Sequence, residues 1–220
     1  MSNILKINFG RRKKLTSLLG LSLDGSRLEG VALRRTNGAL QIQQTFAVTL
    51  SLDPLTAPTE LAAREIRNHL DSVGVRERHC VVGVPLKWVL TMYTELPKIA
   101  EEDAASLLQL EAEKGFPSDP ATLRIANSRG ALKDGRHYVL LTGIAGSQLD
   151  ALEKVLVAAK LKPVSFALGL TALQPPPAVA GTNAEGAAAA DSRAPGILAL
   201  AIGENQVSLQ ITCGGGVAAL

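Results

Sequence analysis

The 220-residue chain is rich in apolar residues and poor in aromatic ones: 46% are hydrophobic, and the aromatic rings come from four Phe, two Tyr and one Trp. Such an apolar fraction supplies a hydrophobic core, and a charged fraction of 20% excludes disorder throughout the chain. So few rings also argue against nucleic-acid readout by base stacking.

The net charge of +3 is distributed unevenly. Residues 1–16 form a basic arm with five Lys and Arg side chains and no acidic one, so the arm carries +5 and the remainder −2. The arm lacks the apolar segment and cleavage site of a secretory signal, and two distant cysteines do not make a disulfide framework. The longest uncharged stretch, 163–184, contains prolines that exclude a membrane span. We expect a cytoplasmic protein whose arm is either solvated or in contact with acidic headgroups or nucleic acid.

The first predicted element is a three-stranded antiparallel meander over residues 19–50. Its first strand runs into a turn at Asp24-Gly25, and its second strand, 28–33, reaches a turn at 36–38. Asn and Gly at that second turn accept positive φ, which favours a hairpin.

Helices and strands alternate after the meander. Thr59 is placed to cap a first helix, the acids at 101–103 mark the first turn of a second, and Ser147 is placed to cap a third. A short helix is predicted at 169–174. Strands are predicted at 81–84, 86–96, 121–128, 136–144 and 163–166. The strand at 81–84 is expected to be fully buried because it lacks polar positions, and the strand at 163–166 is predicted to be buried as well.

The remainder of the chain consists of a linker and a second hairpin. Three prolines and an Ala run at 175–195 predict an extended or flexible surface linker. Strands follow at 196–202 and 207–212, joined by a turn at 203–205. No helix closes the chain after 214–216, which is typical of a fragment cut within a fold.

Motifs for metal binding and hydrolysis are missing from the sequence. His69, His79 and His137 lack metal-ligand spacing, no GxSxG elbow occurs, and the glycines at 214–216 lack the Lys-Ser/Thr of a P-loop. We therefore expect no metal site and no catalytic triad. The hairpins at 20–34 and 196–212 are either purely structural or cradle a phosphate with their turn amides.

Five segments carry a resemblance to a known family. They are GLSLDGS at 20–26 with GVAL at 30–33, VGVP at 82–85 with LPK at 96–98, the helix with EAEK and FP at 104–117, the segment from VLLTG to LKPV at 139–164, and the hairpin at 197–209. Their order and spacing resemble the PilM family of actin-like type IV pilus assembly proteins and the related cytoplasmic domain of GspL from type II secretion.

This resemblance implies an α/β, actin-like (ribonuclease H-like) fold with an inserted small α+β subdomain and a second lobe that is largely absent. The implied divisions are the arm at 1–16, the opening part of the first subdomain at 17–79, the inserted subdomain at 80–145, the return to the first subdomain at 146–174, the linker at 175–195 and the start of a second-lobe hairpin at 196–220.

The resemblance also implies a nucleotide site between the two hairpins. Its candidate cofactor-binding residues are Ser22, Asp24, Gly25, Ser26, Gly203, Glu204 and Asn205. The family's two carboxylate positions fall on Ser22 and Ala201, and a third acidic position falls on Ala167 or Gly169. Because Mg²⁺ needs charged oxygen ligands, we expect a degenerate site with no cofactor and no ATP turnover. ATP and Mg²⁺ remain possible if Asp24 supplies a carboxylate through a shifted turn.

The function that the resemblance implies is binding. The expected protein is a cytoplasmic scaffold at the inner face of the inner membrane, in a pilus or type II secretion platform, with no nucleic-acid partner. Segments 80–97 and 121–145 would form a groove for a short peptide of a membrane-anchored PilN-type protein. The alternatives are an active actin-like ATPase or sugar-kinase relative, and a stand-alone regulatory adaptor.

Overall fold

The computed structural model describes residues 16–37, 39–168, 196–202 and 207–220. The predicted helix at 169–174, the linker at 175–195 and the turn at 203–205 lie outside these residues. The helices are α1 (Thr59–Ser72), α2 (Glu101–Gly115) and α3 (Gly146–Ala158), with short 3-10 turns at Leu86–Trp88 and Pro120–Thr122. The strands are β1 (Ser17–Asp24), β2 (Arg27–Thr36), β3 (Ala39–Thr49), β4 (His79–Val84), β5 (Val89–Leu96), β6 (Leu123–Ala131), β7 (His137–Ala145), β8 (Lys162–Leu168), β9 (Ile197–Ile202), β10 (Val207–Cys213) and β11 (Gly216–Ala219).

Five strands form the main sheet in the order β3-β2-β1-β4-β8. The predicted meander is confirmed, since β1, β2 and β3 are consecutive antiparallel neighbours. Gly25 and Asn37 have φ of 58° and 53° at the two turns, the left-handed conformation that these residue types tolerate. β4 and β8 run parallel to β1, which makes the sheet mixed.

Helices α1 and α3 pack against each other and against one face of the main sheet. Leu19 and Leu21 of β1 meet Ile66 of α1 and Leu156 of α3 in this core, where all four are buried. Burial of each such side chain stabilises the fold by about 1.5–3 kcal/mol. Cys80 of β4 is fully buried in the same core, which raises its pKa to about 11.

The opposite face of the main sheet is more open. Strand β4 buries only Cys80, Val82 and Val84, while the residues between them are partly exposed. The prediction that β4 is fully buried is therefore wrong, because α1 and α3 both lie on one side. The predicted burial of 163–166 is wrong as well, since every residue of β8 is exposed or partly exposed.

The starts of α1 and α3 differ from the predicted caps. Pro58 is the N-cap of α1, so Thr59 is already helical and makes no capping hydrogen bond. Helix α3 begins at Gly146 directly after β7, which likewise places Ser147 inside the first turn. Helix α1 therefore starts one residue, and α3 two residues, before the position at which the hydroxyl could cap it.

An inserted unit follows the 3-10 turn after β4. Its sheet has the order β5-β7-β6 and is antiparallel, and α2 packs on one face through Leu108, Ala112 and Phe116. The predicted boundary at residue 80 falls within β4, which pairs with β1 of the main sheet, as in Leu21 with Val82. The inserted sheet itself begins at Val89.

The last three strands form the C-terminal sheet, in the order β11-β10-β9. Strand β11 lies against β6 and β7 of the inserted sheet. The amide of Ala131 donates to the carbonyl of Gly214 at 3.0 Å, and the amide of Val217 donates to the Ser128 hydroxyl at 2.8 Å. These bonds dock the C-terminal sheet on the inserted unit.

One face of the C-terminal sheet carries an apolar ladder, defined as three cross-strand pairs of large aliphatic side chains between β9 and β10. The pairs are Leu198 with Ile211, Leu200 with Leu209, and Ile202 with Val207. All six side chains are exposed, by 38–76%. Within the described ranges, no helix is both long and apolar enough to span a membrane.

Candidate functional site

The main sheet has a topological switch point between β1 and β4. From β1 the chain moves to β2 and β3 on one side, and it then returns through α1 to β4 on the other side. Ligands of open α/β sheets bind outside the carboxyl ends of the strands at such a point. In this chain those ends are Asp24 of β1 and Val84 of β4.

Four of the predicted site residues meet at this edge: Ser22, Asp24, Gly25 and Ser26. Gly25 and Ser26 form the two-residue turn between β1 and β2, and nothing lies within 4 Å of a Cβ built at Gly25. The Ser26 carbonyl accepts a hydrogen bond from the Leu50 amide at 2.7 Å, which fixes the turn against the end of β3. The turn is therefore open to ligands yet held in place.

Small side chains lie in register beside this turn. Ser22 pairs with Gly83 of β4, and Gly83 pairs with Ala167 of β8. Ser22 is exposed, on the face opposite Leu21 and the core. Neither Ser22 nor Ala167 offers a carboxylate, so two of the positions at which the family's acids were expected provide no charged metal ligand.

Asp24 does offer a carboxylate, but it is already engaged. The Lys87 ammonium forms an ion pair with Asp24, and the side chains are 55% and 35% exposed. Lys87 lies in the 3-10 turn after β4, where the Trp88 amide donates to the Pro85 carbonyl at 3.1 Å and the Trp88 ring packs on the main core. Sequence reasoning missed Lys87 because it is 63 residues from its partner and matches no motif.

The second predicted hairpin is only partly described. Gly203, Glu204 and Asn205 lie outside the described residues. Ala201 lies in β9 and pairs with Ser208, so this family acid position also holds no carboxylate. No group of three or more His, Cys, Asp or Glu side chains in the described part of the chain is arranged to hold a metal ion.

The inserted sheet has an accessible central row on the face opposite α2. The row is defined by Thr91, Thr142 and Ala126, which pair across β5, β7 and β6. Thr91 and Ala126 are exposed, and the Thr142 hydroxyl donates to the Ala126 carbonyl at 3.3 Å. On one side of the row Ile144 packs against the main core, and on the other side the fully buried Tyr138 contacts the C-terminal sheet.

Tyr138 links the inserted sheet to the C-terminal sheet beside the central row. Its ring stacks on Tyr93 with a centroid distance of 5.7 Å, and its hydroxyl lies 2.9 Å from the Gly216 carbonyl and close to that of Cys213. Burial, followed by the contact with Cys213, raises the pKa of Tyr138 above its ordinary value. The hydroxyl therefore stays protonated and donates. Tyr93 is 48% exposed beside the central row, where it presents an aromatic surface to solvent.

No protein-family model matches the sequence, and no curated protein matches it either. Solved structures do match. The PilM-PilN type IV pilus biogenesis complex aligns with a TM-score of 0.68 and 20% identity, over 92% of this chain and 60% of that one. The cytoplasmic domain of EpsL, an inner-membrane component of the type II secretion system of Vibrio cholerae, aligns with a TM-score of 0.52 and 16% identity, over 73% of this chain and 60% of that one. A Bacteroides thetaiotaomicron protein with an actin-like ATPase fold and unknown function aligns with a TM-score of 0.44 and 12% identity, over 93% of this chain and 68% of that one.

The likeness to the first two structures is a likeness of fold. It confirms the predicted α/β, actin-like class and the predicted resemblance to PilM and to the type II secretion domain at the level of fold. The chain spans 60% of the length of each of these two chains.

Proposed function

We propose that this chain is a cytoplasmic, actin-like scaffold of a type IV pilus or type II secretion platform at the inner face of the inner membrane. In this role it binds a short peptide of a membrane-anchored, PilN-type partner. The observation that carries the proposal is the match to the PilM-PilN complex over 92% of this chain. The match to EpsL, an inner-membrane secretion component, supports the same setting.

The central row of the inserted sheet supports peptide binding. A peptide docks on the face of a sheet through side-chain contacts, because the backbone groups of its central strand already bond to the neighbouring strands. Thr91 and Ala126 leave the row shallow and accessible, and Tyr93 adds an exposed ring of a type that is enriched in interfaces. These residues fall within the segments 80–97 and 121–145 that the family resemblance implies.

The side chains at the predicted nucleotide site support a role in binding and not in catalysis. Metal-assisted hydrolysis requires charged oxygen ligands, and Ser22, Ala167 and Ala201 supply none. The carboxylate at Asp24 is paired with Lys87. We infer a degenerate site that does not turn over ATP.

The basic arm at 1–16 supports a position close to the membrane. Its charge of +5 suits the anionic surface of a cytoplasmic leaflet, to which each Lys or Arg contributes about 1 kcal/mol of attraction. We infer that the protein associates peripherally with this surface.

The test is binding of a synthetic peptide that covers the cytoplasmic segment of the PilN-type protein from the same genome, measured by calorimetry. Native protein should bind, and Ala126→Arg should weaken binding at least tenfold, because a long charged side chain would cover the central row. Lys133→Ala, an exposed change in the β6–β7 turn, serves as the control and should leave the affinity unchanged. Equal affinities for the native and Ala126→Arg proteins would overturn the placement of the peptide.

An active ATPase is the second candidate, since Asp24 is a partly exposed carboxylate at the end of β1. Titration of ATP with and without Mg²⁺ separates the two functions. Micromolar affinity that depends on Mg²⁺ would favour the ATPase, whereas absence of such binding supports the scaffold.

A further inference from the structure

The switch point between β1 and β4 carries paired charges of opposite sign. Two cations of the described residues near the β1–β2 turn are each paired with a carboxylate of the same chain. Lys87 pairs with Asp24, and Arg27 pairs with Glu29 at 2.7 Å. An anionic ligand at this edge would therefore meet no uncompensated positive charge from these two cations.

The position of Lys87 is fixed by its neighbours. Pro85 and Trp88 hold the 3-10 turn through a backbone hydrogen bond and through packing of the Trp88 ring on the main core. The lysine thus projects from a rigid turn toward the end of β1. Lysine binds phosphate as a point charge, and ligands of open α/β sheets bind at the carboxyl ends of the strands, so Lys87 is placed where it could contact a phosphate.

We propose that Asp24 is a built-in anion that occupies Lys87 and so keeps phosphate-bearing ligands away from the switch point. A phosphate and the Asp24 carboxylate compete for one ammonium group, and the carboxylate also repels the phosphate directly. The small residues in register nearby, Ser22 and Gly83, leave the space itself open.

This inference rests on the proposed degenerate nucleotide site and names a charge that would weaken phosphate binding there. It predicts that removal of the negative charge of Asp24 increases the affinity for ATP. Asp24→Asn keeps the shape of the side chain but removes its charge, which releases Lys87.

The experiment measures ATP affinity by calorimetry in the absence of Mg²⁺. Asp24→Asn should bind ATP at least tenfold more tightly than the native protein, and addition of Lys87→Met to this variant should abolish the gain. Glu29→Gln is the matched control, because it removes the other carboxylate of the same hairpin; its affinity should remain at the native level. Asp24→Ser provides a second neutral variant should the first fail to fold.

The outcomes distinguish this inference from the proposed function. An unchanged affinity in folded Asp24→Asn or Asp24→Ser, or an equal gain in Glu29→Gln, would overturn the role of Asp24. Binding of the PilN-type peptide is measured on the same variants and should be unaffected. If the native protein does not bind the PilN-type peptide, that result would instead contradict the proposed scaffold function.

Discussion

Gly130 shows how a single residue controls the contact between the inserted and C-terminal sheets. It pairs with Tyr138 across β6 and β7, and a Cβ built at Gly130 would lie 2.3 Å from the Tyr138 ring. The absence of a side chain allows the ring to lie flat over β6 and its hydroxyl to reach the Gly216 carbonyl. Gly130 is therefore required by close packing and not by a turn.

We predict that Gly130→Ala destabilises the protein by about 1–3 kcal/mol, because the ring must move and the Gly216 carbonyl loses its donor. Chemical denaturation measures the loss, and hydrogen exchange at the Val217 amide should become faster. Gly196→Ala is the control, since a Cβ there meets no atom closer than 3.5 Å. Equal stabilities for the two variants would show that Tyr138 is not held as described.

At the scale of elements, Glu65 ties α1 to the loop after β3. Its carboxylate accepts hydrogen bonds from the amides of Ser51 at 2.6 Å and Leu52 at 3.2 Å. Desolvation opposes the charge, but the bond from the Ser51 amide and the others outweigh it and lower the pKa of Glu65.

A lowered pKa makes this contribution depend on pH. The stabilisation is complete above the pKa of Glu65 in the unfolded chain and is lost as the pH falls through the lower folded value. We predict that Glu65→Gln costs about 1 kcal/mol at neutral pH and flattens the acid limb of stability against pH. Glu60→Gln, an exposed acid in the first turn of the same helix, should leave that limb intact. Denaturant midpoints across the acid range test both statements.

Elements set by local chemistry could be predicted from the sequence, and elements set by distant contacts could not. The meander was predictable because Asp24-Gly25 and Asn37 specify their turns within two residues. The boundary of the inserted subdomain was not predictable, because β4 is only a short apolar segment in the sequence and its pairing with β1 is visible only in the structure. The same holds for the candidate site. The first hairpin was located correctly, but the pairing of Asp24 with Lys87 was not predictable because the two residues are 63 positions apart.

At the scale of the whole molecule, the apolar ladder on β9 and β10 departs from ordinary surface composition among the described residues. Isolated exposed aliphatic residues are normal, but six in three facing pairs form a continuous patch. Strand β9 is also at the edge of its sheet, and exposed apolar edge strands favour association.

We predict that the chain binds a hydrophobic dye such as ANS and associates as its concentration rises. Leu200→Lys should reduce both effects without lowering the unfolding midpoint, because Leu200 is 52% exposed. Leu110→Lys is the matched control, as Leu110 is equally exposed but isolated on α2. A comparable reduction in both variants would show that the ladder is not the source. Dye fluorescence and light scattering provide the measurements.

The two cysteines differ in reactivity, so the more exposed one can serve as a natural probe of the contact between the C-terminal sheet and the inserted unit. Cys80 is fully buried with a pKa of about 11, so it is inert toward maleimide at neutral pH. Cys213 lies partly exposed at the edge of the contact with Tyr138, its sulfur 3.7 Å from the hydroxyl. A difference in the alkylation rate of this one thiol between the native protein and Gly130→Ala would therefore report a change in the contact with Tyr138, with no label engineered into the protein.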